Sequence, residues 1–505
     1  MTAKRDGKRA VAREGRLSTM PAADWACTLA LDRRRGEPIY RQLVTRLRDG
    51  ILDGRLPAGM RLPSTRALAT QLNTARGTIE LAYALLAAEG FIETCGAAGT
   101  RVNARLPPQH GPVKPAPAPS AGSASVSAAI ALAPLQMGLP ALDLFPRKLW
   151  ARVASHEGRV LAAEAFSYGD AQGQSRLRHA IAGYLAIARG IDCDPARIII
   201  TNGYHGALGL LTTALLPATA SRPIWFEDPG YRRARDALTL AGAQLAGVPV
   251  DDEGLDVEAG VAKAPWACMA LVTPSHQAPL GVSLSLPRRL ALLDWAVRAN
   301  AWIVEDDYDG EFRYSGRPLP ALASLDGGER VLYVGSFSKA LAPGLRLGYI
   351  VAPPALAGHL AKVAALLAPP PALTLQESIA AFIEAGHFSR HIRRMRAAYA
   401  VRRDALAAAL HRRVGGVLDI SPSVGGMHLI GWLRESSAPR DGSLANDVLL
   451  VQAAVRSGLA PDALSPWYLH QRRRDALLMS FTNVLPERAD DVAVRLAAAF
   501  ERPYA

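Results

Sequence analysis

The chain has 505 residues, half of them apolar, more than one hydrophobic core usually organises, so at least two packed domains are expected. It has no long uncharged apolar run and no apolar stretch with a cleavage site behind its basic N-terminus, which excludes a membrane span or secretion signal and points to the cytoplasm; Cys27, Cys95, Cys193 and Cys268 stand far apart, without the spacing of a zinc site or disulfide framework. The net charge of +13 gathers at the front, where residues 1–105 hold 18 Lys and Arg against 10 Asp and Glu, a balance that suits nucleic acid but equally describes a solvated face or a mobile arm.

Residues 1–36 carry short basic clusters and little apolar periodicity, and read as a mobile arm. The pattern changes at Pro38, a first-turn proline followed by Ile39, Leu43, Val44, Leu47 and Ile51 at helical spacing, with Gly54 as the stop. Leu62-Pro63-Ser64 opens a second helix, Ser64 serving as N-cap and Leu68 and Leu72 facing inward. Asn73-Thr74 makes a tight turn into a third helix, roughly Ala75 to Glu89, with Ile79, Ala82, Tyr83 and Leu86 buried and Arg76, Gly77, Thr78 and Glu80 left outside. Phe91–Thr94 and Thr100–Val102 flank a glycine-rich tip, as the strands of a hairpin would. Helix, helix, turn, helix and hairpin over residues 37–103 describe a winged helix-turn-helix. Residues 104–135, rich in Pro, Ala and Ser, form a linker.

From residue 136 to 505, short apolar strands alternate with amphipathic helices: Ile198–Ile200, Pro223–Phe226, Met269–Val272, Trp302–Val304 and Val331–Val334. That alternation predicts an α/β domain with a mainly parallel central sheet, whose ligand would sit at the carboxyl ends of the strands. The polar clusters fall there. Lys339, in Ser336-Phe337-Ser338-Lys339, has hydroxyls beside it and Arg346 seven residues on. A partly desolvated amine so placed forms an imine with an aldehyde, while Ser336, Ser338 and Arg346 grip a phosphate. Trp302-Ile303-Val304 runs into Glu305-Asp306-Asp307-Tyr308-Asp309, by itself an unremarkable solvated turn. A pyridoxal 5′-phosphate (PLP) ring, however, needs a carboxylate against its nitrogen and a donor on its hydroxyl, parts that Asp306 and Tyr308 fit. Gly203, after the strand at Ile198, opens a helix whose N–H groups suit phosphate. Tyr231, in Glu227-Asp228-Pro229-Gly230-Tyr231, offers an aromatic face.

Together these motifs resemble the MocR-type branch of the GntR regulators, in which a winged helix-turn-helix precedes a PLP-dependent transferase unit of fold type I. The resemblance covers nearly the whole chain after residue 36. Its front motifs are Ile39-Tyr40-Arg41-Gln42-Leu43, Arg61-Leu62-Pro63-Ser64-Thr65-Arg66, Arg76-Gly77-Thr78 and Gly99-Thr100-Arg101-Val102, and its rear ones include Tyr168-Gly169-Asp170 and Thr273-Pro274-Ser275-His276-Gln277. It implies that Lys339 is the Schiff-base lysine, that Asp306 pairs with the ring nitrogen and Tyr308 with the ring oxygen, and that Arg346, Ser336, Ser338, Gly203 and Tyr204 surround the phosphate. Tyr231 would stack on the ring, His276 would lie beside the ring hydroxyl, Tyr168 would reach the cofactor of a partner subunit in a homodimer, and Arg233 would meet an effector carboxylate. In the front domain Arg66, Thr74, Arg76, Thr78 and Gly99 become the candidates for contact with double-stranded DNA bearing paired half-sites.

Two departures bear on function. Bulky residues fill Gly203-Tyr204-His205, and the late strand Leu477-Leu478-Met479-Ser480-Phe481 has leucine where aminotransferases place the arginine for a substrate α-carboxylate, with Arg472, Arg473 and Arg474 only nearby. The leading expectation is a regulator sensing PLP or a PLP–amine adduct. The alternatives are an aminotransferase carrying an added DNA-binding module and a degenerate PLP fold kept for dimerisation.

Overall fold

The computed structural model describes residues 31–33, 36–96, 99–104, 132–216, 222–314, 319–421, 424–434, 446–470 and 474–501. Most of the expected arm and linker, together with Arg472 and Arg473, lies outside the described residues. The chain divides into two compact units, Met1–Ala128 and Ala129–Ala505.

In the first unit, helix α1 (Ile39–Leu52) starts directly after Pro38 and buries Leu43, Val44, Leu47 and Ile51, one stripe of an amphipathic helix. Helix α2 (Thr65–Gln71) is capped by Ser64, whose side chain accepts the Ala67 N–H at 3.2 Å. Asn73 turns the chain at φ 47°, a left-handed conformation that asparagine tolerates. Helix α3 (Arg76–Ala88) then buries Ile79, Ala82, Tyr83 and Leu86, the four residues its periodicity selects. The Tyr83 hydroxyl donates to the Pro63 carbonyl at 3.0 Å, tying α3 to the start of α2. Strands β1 (Ile92–Thr94) and β2 (Thr100–Val102) pair antiparallel, Ile92 opposite Val102, and bury those two residues against the helices. Leu62 donates to Thr100 at 2.9 Å, adding a short third rung to the wing.

The second unit is built on an eight-stranded mixed sheet. Its strands are β3 (Ile198–Thr201), β4 (Ile224–Asp228), β5 (Leu245–Asp251), β6 (Gly254–Leu255), β7 (Met269–Val272), β8 (Trp302–Asp307), β9 (Val331–Ser336) and β10 (Gly348–Val351), in the order β3-β10-β9-β8-β7-β4-β5-β6. From β5 to β9 neighbouring strands run parallel, whereas β10 is antiparallel to both β3 and β9. Successive residues of β9 feed opposite faces: Leu332 and Val334 pack with the helices Gly203–Leu215 and Pro354–Leu367, while Val331 and Tyr333 enter clusters on the other side. That two-residue alternation buries both faces, as expected of a parallel sheet sandwiched by helices. On one face Trp225 and Trp295 stack at 3.7 Å between ring centroids, and the Trp225 indole N–H donates to Ala264.

A second sheet, antiparallel throughout, joins β11 (Leu418–Ser421), β12 (His428–Leu433), β14 (Ala476–Ser480) and β13 (Asp462–Ala463) in that order. The five strands expected from apolar runs are present. Absent from that expectation were β5, interrupted by glycine and proline, the two-residue β6, β10, a four-residue strand entered from Arg346 in the left-handed conformation, and β11 to β13 of the second sheet. Among the described residues no helix is long and apolar enough to cross a membrane, and no cluster of His, Cys, Asp or Glu has the arrangement of a metal site.

Candidate functional site

The carboxyl ends of β4, β8 and β9 open onto one cavity of about 610 Å³. Tyr231, Asp306, Tyr308, Ser336, Ser338, Lys339 and Arg346 all line it, with Tyr204 and Arg233, so residues spread over more than a hundred positions converge because parallel strands end on one side. Gly203, at φ +69°, lies behind this wall, where a Cβ would stand 3.7 Å from the Arg346 backbone.

Lys339 sits in the short helix Phe337–Ala340, whose N-cap Ser336 accepts the Ser338 N–H at 3.2 Å. Its Nζ donates to the Gly138 carbonyl at 2.5 Å. Burial, opposed in part by Asp309 and Asp306, brings the amine down to about 8, so roughly a tenth of it is neutral at pH 7, far more than for an ordinary lysine. Asp306 is 6% exposed and burial pushes its carboxyl well above the usual range. The Tyr204 hydroxyl lies near that carboxyl and perturbs it, yet closes no hydrogen bond of good geometry. Burial and the neighbouring Asp309 and Asp306 hold Tyr308 as a neutral phenol.

The acidic run is not a solvated turn. Glu305 accepts the N–H groups of Leu322 and Ala323, both at 2.8 Å, and Asp307 accepts from Tyr333 at 2.6 Å and pairs with Arg189 at 2.7 Å. Below Tyr231, burial raises Glu227 to about 7 even though it accepts from Thr273 and Gln277. These anchored carboxylates fix the strand ends from beneath and leave Asp306 as the acid of this run that faces the cavity, which Asp462 also lines.

The site residues expected from sequence are not all gathered there. His276 lies behind Tyr308, its Nδ1 2.9 Å from the phenol oxygen, and is absent from the cavity wall. Tyr168 is fully exposed and absent from the lining. Arg233 reaches the cavity and helps depress Lys339. The leucine of the late strand that meets this region is Leu478, completely buried with Ala278, Leu464 and Trp467, so the wall is apolar there. Sequence reasoning missed His205, His428, Trp467 and the strap Gln136–Leu139, all lining residues; of these, only His205 lay in a motif already singled out.

A PLP fit is tested by the donor set itself. Asp306 is a buried carboxyl without a cationic partner among the described residues, and the Tyr204 hydroxyl is a buried donor without an acceptor. An amine near neutrality, an arginine and two serines share the same cavity. The arrangement suits a molecule with an aldehyde, a protonatable ring nitrogen and a phosphate.

In the first unit, Arg66 on α2 and Arg76 at the start of α3 are exposed. Arg76 pairs with Glu80 at 2.8 Å. Thr74 and Thr78 are half-buried, and Gly99 (φ +82°) bends the wing over the Arg61 guanidinium.

Two family models match the chain: "Bacterial regulatory proteins, gntR family" over residues 39–102 and "Aminotransferase class I and II" over residues 146–460. The chain is 36% identical over 484 residues to the probable rhizopine catabolism regulatory protein MocR of Rhizobium meliloti, covering 94% of this chain and 96% of that protein. It is 34% identical over 403 residues to the pyridoxine biosynthesis transcriptional regulator PdxR of Corynebacterium glutamicum, covering 80% and 85%. Among solved structures, the kynurenine aminotransferase of Pyrococcus horikoshii superposes with a TM-score of 0.64 at 28% identity, over 74% of this chain and 91% of that one.

Proposed function

Because the chain belongs to the MocR-type branch of the GntR family of transcriptional regulators, we propose that it binds PLP covalently through Lys339, binds operator DNA through its front unit, and couples the two as a cytoplasmic homodimer. The observation that carries the reading is the convergence of Lys339, Asp306, Tyr308, Ser336, Ser338 and Arg346 on one cavity. Arg346 and the two serines take the phosphate, the arginine by paired N–H donors. Asp306 holds the proton of the ring nitrogen, Tyr308 donates to the ring oxygen, and Tyr231 covers one ring face. When bound, the cofactor supplies an aldehyde that captures primary amines.

What this chain adds is selectivity. With Leu478 buried among apolar side chains, nothing on β14 recognises an α-carboxylate, and Arg233 is left as the cation for an effector anion. This disfavours efficient transamination and suits sensing of PLP or a PLP–amine adduct. Tyr168, extended into solvent, fits a contact with a second subunit, and a two-fold dimer would present its DNA-reading helices to paired half-sites. There Arg66, Thr74, Arg76, Thr78 and Gly99 face the duplex. The purified protein given PLP should develop a visible absorbance band that Lys339→Ala lacks while retaining basal DNA binding. An unchanged band in the variant overturns the assignment.

A further inference from the structure

His276 was expected to touch the cofactor, but its surroundings give it a different task. The imidazole, 6% exposed, lies in the loop after β7 with Nδ1 2.9 Å from the Tyr308 hydroxyl and 3.1 Å from Asp309 Oδ2. The Asp309 side chain is 1% exposed; neither of its oxygens closes a hydrogen bond of good geometry among the described residues, and the same carboxylate also acts on the Tyr308 hydroxyl. The ring packs against two glycines that leave room for it: a Cβ on Gly281 would stand 3.1 Å from Nε2, and one on Gly426 (φ +77°) would overlap the imidazole. In this position His276 lies outside the wall of the large cavity. Its Nε2 is buried beside a small space of about 20 Å³, also lined by Arg189, Ser275 and Ser283, which has the volume for one water.

Hydrogen-bond accounting then assigns the proton. A carboxylate only accepts, so Asp309 favours the tautomer with hydrogen on Nδ1 and leaves Nε2 an acceptor beside the small space. An Nδ1–H directed at the phenol makes the Tyr308 oxygen the acceptor of that bond. The phenol has one proton of its own, and the opposite tautomer would have drawn it backwards onto Nδ1.

We propose that His276, anchored by Asp309, is a positioning residue for Tyr308: it occupies the phenol oxygen from behind and turns the Tyr308 proton toward the cavity. The inference rests on the PLP reading above for its consequence, since Tyr308 then donates to whatever anion lies in front of it. Other charged or titratable groups face Tyr308 and His276: Asp306 on β8, Glu227 on β4, Lys339 on its short helix, Arg189 and Arg313 across the small space, and His428 on β12. His428 donates from Nε2 to the Pro279 carbonyl at 2.8 Å, and burial lowers it to about 4, so it adds no charge at neutral pH.

Two experiments decide the matter. In the cofactor-free full-length protein, long-range proton–nitrogen spectra, with His276 identified by its loss in His276→Asn, should show hydrogen on Nδ1; hydrogen on Nε2 overturns the proposal without reference to PLP. In the PLP-loaded protein, the pH midpoint of the visible band should rise by about one unit in His276→Leu and His276→Gln, because an anion loses its donor. It should stay near the wild-type value in His276→Asn, whose amide reaches the place of Nδ1. Equal midpoints in Asn and Gln variants that melt alike refute the positioning role. A wild-type protein that never develops the band sinks the PLP reading itself, whereas a band indifferent to residue 276 sinks this one alone.

Discussion

Replacing Lys339 by Met should make the cofactor-free protein more stable, although it removes the residue on which PLP binding depends. Burial brings the amine from its ordinary 10.5 to about 8; at about 1.36 kcal/mol per unit, holding it charged in the folded state costs roughly 3.4 kcal/mol. Water in the cavity and loss of the hydrogen bond to Gly138 reduce the observable gain to about 1–3 kcal/mol, or a few degrees of melting temperature. The depressed value means that the folded chain binds this proton less tightly than the unfolded one. The advantage of Met is therefore complete below pH 8 and fades as pH climbs from 8 toward 10.5. Thermal melts of the two cofactor-free proteins, taken at half-unit steps from pH 6.5 to about 10, test both magnitude and shape. A variant that melts below wild type at pH 7, or a difference flat across the range, refutes the claim that Lys339 is held under desolvation strain.

Three further outcomes follow from the same geometry. Arg76→Ala should weaken operator binding by about 1–3 kcal/mol if it reads a base, and Arg66→Ala should reduce the salt dependence of affinity by about one counterion, both measurable by fluorescence anisotropy at several salt concentrations. Trp225→Ala should destabilise the second unit by about 3–5 kcal/mol in urea, because it opens the Trp295 stack and abandons the indole bond to Ala264; a loss under 1 kcal/mol would mean that the helices close the gap. Gly138→Ala should lower the melting temperature, since the residue sits at φ +79° and its new Cβ would stand 2.6 Å from Lys339 Nζ; an unchanged melt would show that the strap shifts freely.

The front unit was legible residue by residue because its helices have one wet face. Periodicity there singles out Ile79, Ala82, Tyr83 and Leu86, and all four are buried. The parallel strands were legible as apolar runs, since both their faces are covered. Strand β10 was not: Gly348–Val351 is four residues long and follows Arg346 at φ 49°, and its place between β3 and β9 is a long-range fact that local sequence does not encode. At the site, motifs after strands put Lys339, Asp306 and Arg346 in one cavity. They put His276 in the loop beside Tyr308 but not behind it, because spacing from a strand gives the loop and not the side from which its ring approaches. The Asp309 carboxylate and the cramped glycines Gly281 and Gly426 set that side, and they come from three different segments.

The bond from Lys339 to the Gly138 carbonyl has a further meaning. Residues 136–139 form the first stretch of described chain beyond the proline-rich tract, and they are also a wall of the cavity. A single nitrogen atom thus has two competing employments, tethering that wall or reacting with an aldehyde. Any molecule that takes up the Lys339 nitrogen must first release the strap carbonyl of Gly138.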